Sequence, residues 1–255
     1  MVYDFIRNAC SSEADPGQIN LQIRYSGACL PGCLFYFTLS LVYLCRMIIK
    51  AKHNFFIYNF FKFYSLFKIR HAFGRVVTEG EFNDGGKAVV VISNHVGWWD
   101  GFWVMYLNLK IFRRRFHFMM LEEQLRKFWF FKYSGGFSVR KGSRSIIDTI
   151  NHAREIIENN GNLLLVFPQG RLESLYKSEL HFEKGIERIL AGMEGKIHLI
   201  FIACLVDYYN DQKPSLYIYF HEQQTGELNS HALQESYNVF YNECREKNIE
   251  RARFT

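Results

Sequence analysis

Short strand-like runs alternate with helical stretches along most of this chain, and that alternation leaves few folds open. The runs Ala88–Ile92, Phe116–Met120, Phe137–Val139, Leu163–Phe167, Ile197–Val206 and Leu216–Phe220 are rich in β-branched and aromatic residues. Helical patterns fill the gaps at Trp98–Leu109, Glu122–Tyr133, Ser143–Asn159 and Gly185–Ala191, with a last helix near His231–Glu246. Buried strands alternating with helices predict an α/β domain, a layered mixed sheet flanked by helices. With 255 residues the chain can bury one sizeable core and a small appendage. The expected division is an N-terminal extension over 1–46, an aromatic and basic helical segment over 47–80, and the main domain over 81–255.

The first eighty residues differ in character from the rest. Ala28 to Cys45 is an uncharged, mostly apolar run of 18 residues between Arg24 and Arg46, at the lower limit for a membrane-spanning helix. Basic residues on both flanks leave its orientation open, and Met47 is an equally good start of the chain. From His53 to Phe73, nine Phe and Tyr residues are punctuated by Lys62, Lys68 and Arg70. So many rings do not make one narrow core stripe, whereas rings sinking into a membrane interface beneath snorkelling cations fit the pattern. The alternative is a helix packed into the core.

Composition points the same way. Net charge is +6 beside 25 Phe and 15 Tyr, which suits an anionic membrane surface. No nucleic-acid motif accompanies the charge, so nucleic acid is set aside as a partner. Four of the six cysteines fall in the first 45 residues and the body holds only Cys204 and Cys244. That distribution argues for a reduced compartment without a disulfide framework, and Cys29-x3-Cys33 lacks the second pair that a zinc site needs.

The chemistry is concentrated at Ser93-Asn94-His95-Val96-Gly97-Trp98-Trp99-Asp100, where the first strand run gives way to a helix. A histidine at a strand end and an aspartate in the first helical turn can meet across the corner. The carboxylate then fixes the ring tautomer and leaves the second nitrogen basic enough to deprotonate a hydroxyl. Taken alone, the pair reads better as a helix-capping acid and a satisfied core histidine. Two further blocks follow in order: Gly136-Phe137-Ser138-Val139-Arg140 and Val166-Phe167-Pro168-Gln169-Gly170-Arg171.

Together these blocks resemble the glycerolipid (lysophospholipid) acyltransferase family, including 1-acylglycerol-3-phosphate acyltransferases, over roughly Lys87 to Asp207. That family carries H-x4-D, G-x-x-x-R and F-P-E-G-T-R. The resemblance implies a fatty acyl chain moving from acyl-CoA or an acyl carrier protein to a lysolipid hydroxyl such as that of lysophosphatidate. His95 would be the general base and Asp100 its partner, with Arg140, Lys141, Gln169, Gly170 and Arg171 binding substrate. Backbone amides after His95 would be candidates for the oxyanion site. The resemblance implies no metal or other cofactor. It implies a bacterial-type enzyme on the cytoplasmic face of a membrane, with the aromatic helix docked on lipid.

The third block departs from the family. Gln169 replaces the glutamate, the threonine is missing or Arg171 comes one place early, and Glu173-Ser174 follow, so the acceptor head group is in doubt. The fourth family element would fall at Phe201–Cys204 without its proline, and no residue is carried over from it. Two other functions compete. A serine hydrolase would want a G-x-S-x-G elbow, which the sequence lacks. A catalytically silent lipid-binding protein is compatible with the degenerate third block, though both His95 and Asp100 are present.

Overall fold

Every residue of β2 (Ala88–Ser93) is buried, so its sequence runs apolar from Ala88 to Ile92 instead of alternating with polar residues. The computed structural model describes residues 48–142, 145–224 and 229–252. In chain order these form α1 (Phe55–Ala72), β1 (Arg75–Glu79), β2, α2 (Asp100–Leu107), β3 (Arg115–Leu121), α3 (Glu122–Lys127), β4 (Gly136–Val139), α4 (Ile146–Ile157), β5 (Asn162–Val166), α5 (Ile186–Leu190), β6 (Ile197–Asp207), β7 (Ser215–Gln223) and α6 (Ser230–Arg251). The seven strands make one sheet in the order β1-β7-β6-β2-β5-β3-β4. All adjacent pairs are parallel except β6 with β7, so the sheet is mixed and flanked by helices.

Pleating divides the strand residues between two cores. Ala88, Val90 and Ile92 join Leu164, Val166, Leu199 and Phe201 beneath Ile150, Ile157, Ile186 and Tyr237 of α4, α5 and α6. Val89 and Val91 join Leu163, Leu165, Ile200 and Ile202 on the opposite face, against Ile69 of α1 and Trp103, Val104 and Leu107 of α2.

Three expectations change. The division at residue 80 does not hold, because β1 pairs along β7 from Arg75↔Ser215 to Glu79↔Tyr219 and belongs to the sheet. Residues from Ile48 onward form one compact unit. The helix expected over Glu122–Tyr133 breaks at Phe128 into a 3-10 turn, Trp129–Ser134, that ends on Gly135. Gly135 has φ 105°, and a Cβ there would collide with the Phe116 carbonyl, so only glycine fits. Finally, α1 does bury one narrow stripe, Phe61, Ser65 and Ile69, while Phe55, Phe56, Phe60, Phe63 and Phe67 stay exposed.

The chain entering α1 runs along the outer edge of β4. Ser138 N donates to the Ile49 carbonyl at 2.9 Å and Ile49 N donates to Ser138 Oγ at 2.8 Å. An edge of unpaired amides is thereby covered. Asn54 then caps α1, its side chain accepting from Phe56 N and Ile57 N. No helix among the described residues is long and apolar enough to cross a membrane. The 28–45 run and Cys29 and Cys33 lie outside the described residues.

Candidate active site

The corner after β2 is fixed before any catalytic atom is placed. Asn94 is buried and bonds both ways to β6: Nδ2 donates to the Cys204 carbonyl at 2.9 Å, and Cys204 N donates to Oδ1 at 2.8 Å. The strand that carries no transferable residue by resemblance thus anchors the corner through its backbone. His95 follows, and Asp100 opens α2 with its side chain fully buried. Asp100 Oδ2 accepts three hydrogen bonds, from His95 Nδ1 at 2.8 Å, Val96 N at 2.6 Å and Gly97 N at 2.9 Å. Asp100 Oδ1 is buried and meets no hydrogen-bond donor among the described residues.

This geometry fixes the ring. With Nδ1–H donated to the carboxylate, Nε2 is the basic nitrogen. The Val96 and Gly97 amides are turned onto Asp100, so the amides directly after His95 do not form the oxyanion site expected of them.

The third block reaches His95 through strand register. Ile92 of β2 pairs with Val166 of β5, so the residues that follow both strands emerge side by side. Phe167 stacks on the His95 ring with centroids 4.1 Å apart and planes at 14°. The loop then holds the His95 backbone at both ends. His95 N donates to Gln169 Oε1 at 2.7 Å, and Glu173 N donates to the His95 carbonyl at 2.8 Å.

Gln169 is buried and its other end is also used, Nε2 donating to Glu173 Oε2 at 2.9 Å. The resemblance puts this residue on substrate; both of its polar atoms are instead spent inside the protein. Glu173 Oε1 accepts from Lys177 Nζ at 2.9 Å and Arg171 Nε at 3.1 Å. Hydrogen bonds from Lys177, Gln169 and Arg171 outweigh desolvation and hold the Glu173 carboxyl down to about 2.

A cavity of about 660 Å³ opens beside His95 over the carboxyl ends of β2, β5, β3 and β4. Its walls are largely apolar, including Phe102, Phe116, Phe118, Met119, Ile150 and Ile189, and its polar residues include His95, Lys141, Arg171, Glu183 and Lys184. Lys141 Nζ donates to Glu183 Oε1 at 3.1 Å. Gly170 (φ 62°) lies against this pair, since a Cβ there would come within 2.8 Å of Lys141 Nζ.

Arg140 is not among the residues lining the cavity. Its Nη2 donates to Glu122 Oε1 at 2.7 Å, and Arg126 binds the same oxygen at 2.8 Å. Desolvation raises the Glu122 carboxyl, yet these two arginines hold it below the usual carboxylate range. Of the residues expected at the site, the structure therefore gathers His95, Lys141, Gly170 and Arg171 around the cavity, sets Asp100 and Gln169 behind His95, and holds Arg140 on Glu122. Glu173 and the stacking role of Phe167 have no motif signal of their own, and only strand register reveals them. Glu183 and Lys184 fall in Phe182-Glu183-Lys184-Gly185, a further short segment that resembles the family.

Trp98 and Trp99 stand exposed at the corner; Trp98 lines the cavity and packs on Phe128 at 4.7 Å. Lys68 Nζ lies 5.5 Å from the Trp99 ring. No group of three or more His, Cys, Asp and Glu side chains placed to hold a metal occurs among the described residues.

The family described as Acyltransferase matches residues 74–204, which spans β1 to the Cys204 anchor and includes both His95 and the 169–173 loop. Among solved structures, the chain is similar to a 1-acyl-sn-glycerophosphate acyltransferase, PlsC, from Thermotoga maritima. Identity is 16%, with 86% of this chain and 88% of that one covered at a TM-score of 0.45. No curated protein matches the chain.

Proposed function

Because this chain belongs to the acyltransferase family, we propose that it moves a fatty acyl chain from an acyl thioester, on coenzyme A or an acyl carrier protein, to a hydroxyl of a lysolipid of the lysophosphatidate type. The observation that carries this reading is His95, bonded to the buried Asp100, on the wall of a mostly apolar cavity with cations among its lining residues. A cavity of that size and lining suits an acyl chain, with the few polar groups fixing its orientation.

In this mechanism, His95 Nε2 takes the acceptor hydroxyl proton as the oxygen attacks the thioester carbonyl. Asp100 balances the imidazolium through Nδ1. Collapse of the tetrahedral intermediate expels the thiolate, which takes the proton back, so no acyl-enzyme forms. General-base help contributes about 10²–10⁴-fold, and holding the two substrates in line supplies much of the rest. Lys141, Lys184 and Arg171 give the mouth the positive field that an anionic head group needs. The exposed rings of α1 with Trp98 and Trp99 fit a lipid surface on the cytoplasmic face, from which acceptor would enter.

The test is acceptor-dependent thiol release from acyl-CoA and acyl carrier protein, comparing wild type with His95→Ala against lysophosphatidate and other lysolipids. Release lost in the variant supports the reading. Folded, vesicle-bound wild type that releases no thiol with any acceptor would indicate a silent lipid-binding protein.

A further inference from the structure

We propose that Gln169 and Glu173 act as one positioning pair for His95, in which the carboxylate expected at 169 stands at 173 instead and obliges residue 169 to be an amide. The inference rests on His95 being the base, as proposed above.

The amide orientation follows from its partners. The His95 backbone N–H is a donor and must meet Oε1, while the ionised Glu173 accepts and must meet Nε2. Residue 169 is 3% exposed, so water offers little substitute for either bond. A glutamate at 169 could accept from His95, but its second oxygen would lie about where Nε2 is, 2.9 Å from Glu173 Oε2. Two carboxylates that close must share one proton. Glu173 can stay charged because Lys177 and Arg171 sit on its other oxygen. The two departures of the third block, Gln169 and the early Arg171, therefore meet at one side chain, Glu173. Its target is His95, gripped at N by Gln169, at O by the backbone amide of Glu173, and on its ring face by Phe167.

The test compares Gln169→Glu, Glu173→Gln and the double variant by kcat, KM and pH profile, with thermal unfolding measured across pH. Gln169→Glu should lose about 10–100-fold in kcat at pH 8 through misplacement of the ring, with KM unchanged, and its deficit relative to wild type at the same pH should shrink as acid supplies the shared proton. In the double variant the side-chain amide introduced at position 173 donates to the carboxylate introduced at position 169, so kcat and the pH profile should return close to wild type. Wild-type kcat in Gln169→Glu, or a double variant no better than the single, would overturn the proposal. If Gln169→Glu does not fold, a folded and active double variant supports the pair, and an unfolded one overturns it. Should wild type release no thiol, the acyl-transfer reading fails separately. The pair is then read from unfolding alone: Gln169→Glu melts below wild type by a margin that widens with rising pH and closes in the double variant, and absence of that margin sinks it.

Discussion

Replacing Asp100 by asparagine isolates what the carboxylate does for His95. Alanine would be the wrong probe. It would orphan three donors now bound to Oδ2, at about 1–3 kcal/mol each, a sum comparable to the roughly 5–15 kcal/mol that holds a domain together. Asparagine can keep an oxygen in the Oδ2 position, but it loses the charge and puts its NH2 where Oδ1 lies buried without a hydrogen-bond partner among the described residues. A hydrogen bond to a charged acceptor contributes about 1.5–3 kcal/mol against about 0.5–1.5 for a neutral one, so each of the three weakens by about 1 kcal/mol. Part of that is offset because a charge no longer sits in a fully buried place. With about 1–3 kcal/mol more for the buried NH2, a net loss of about 2–5 kcal/mol lowers Tm by about 4–20 °C in a domain of this size. The chemical step suffers far more, since the imidazolium formed at His95 is no longer balanced; kcat should fall about 10²–10⁴-fold with KM nearly unchanged. Thiol-release kinetics and thermal unfolding on the same preparation separate the two effects. A kcat within about tenfold of wild type, equivalent to about 1.4 kcal/mol of barrier, or a loss confined to KM, would refute the assigned role.

Lys141→Ala should raise KM for an anionic acceptor about tenfold or more through loss of a charge-assisted contact, whereas Arg140→Ala should leave KM alone because Arg140 serves Glu122; steady-state kinetics of both decide it, and a KM rise in Arg140→Ala would return that residue to the substrate. His53 and His117 stack edge to face at 4.6 Å, and burial first, then the Arg115 charge for His53 and the His53 charge for His117, lowers them to about 4 and about 3. Both are neutral when folded and titrate near 6.5 when unfolded, so the stability they contribute is complete above about pH 6.5 and is lost as pH falls toward 4 and 3. Thermal unfolding at pH 7 and pH 5 should show that loss and a smaller one in His117→Phe, and an equal loss in both proteins would assign it elsewhere. Changing Phe55, Phe56 and Phe63 to serine should weaken flotation with anionic vesicles without lowering Tm, since all three are exposed; unchanged flotation would remove α1 from the lipid contact.

What the sequence determined is local. Continuous apolar runs demanded strands covered on both faces, and six of them are strands. His95 and Asp100 were legible because a five-residue separation across a strand-to-helix corner brings them together without help from elsewhere. β1 was missed because Arg75-Val76-Val77-Thr78-Glu79 is a short edge strand with polar ends and little apolar signal.

The remainder was decided by tertiary structure. Val139 and Lys141 line the cavity while Arg140, between them just past the end of β4, bonds to Glu122 at the start of α3. A motif places the arginine in the sequence but does not fix which face it takes. Gln169 likewise belongs to His95 because β2 and β5 are neighbours in register, a pairing across 74 residues that no local pattern encodes. Spacing within one turn is set by covalent geometry and can be read from residue order, whereas the partner of a loop after a strand depends on which strand lies next to it, and only the packed sheet settles that.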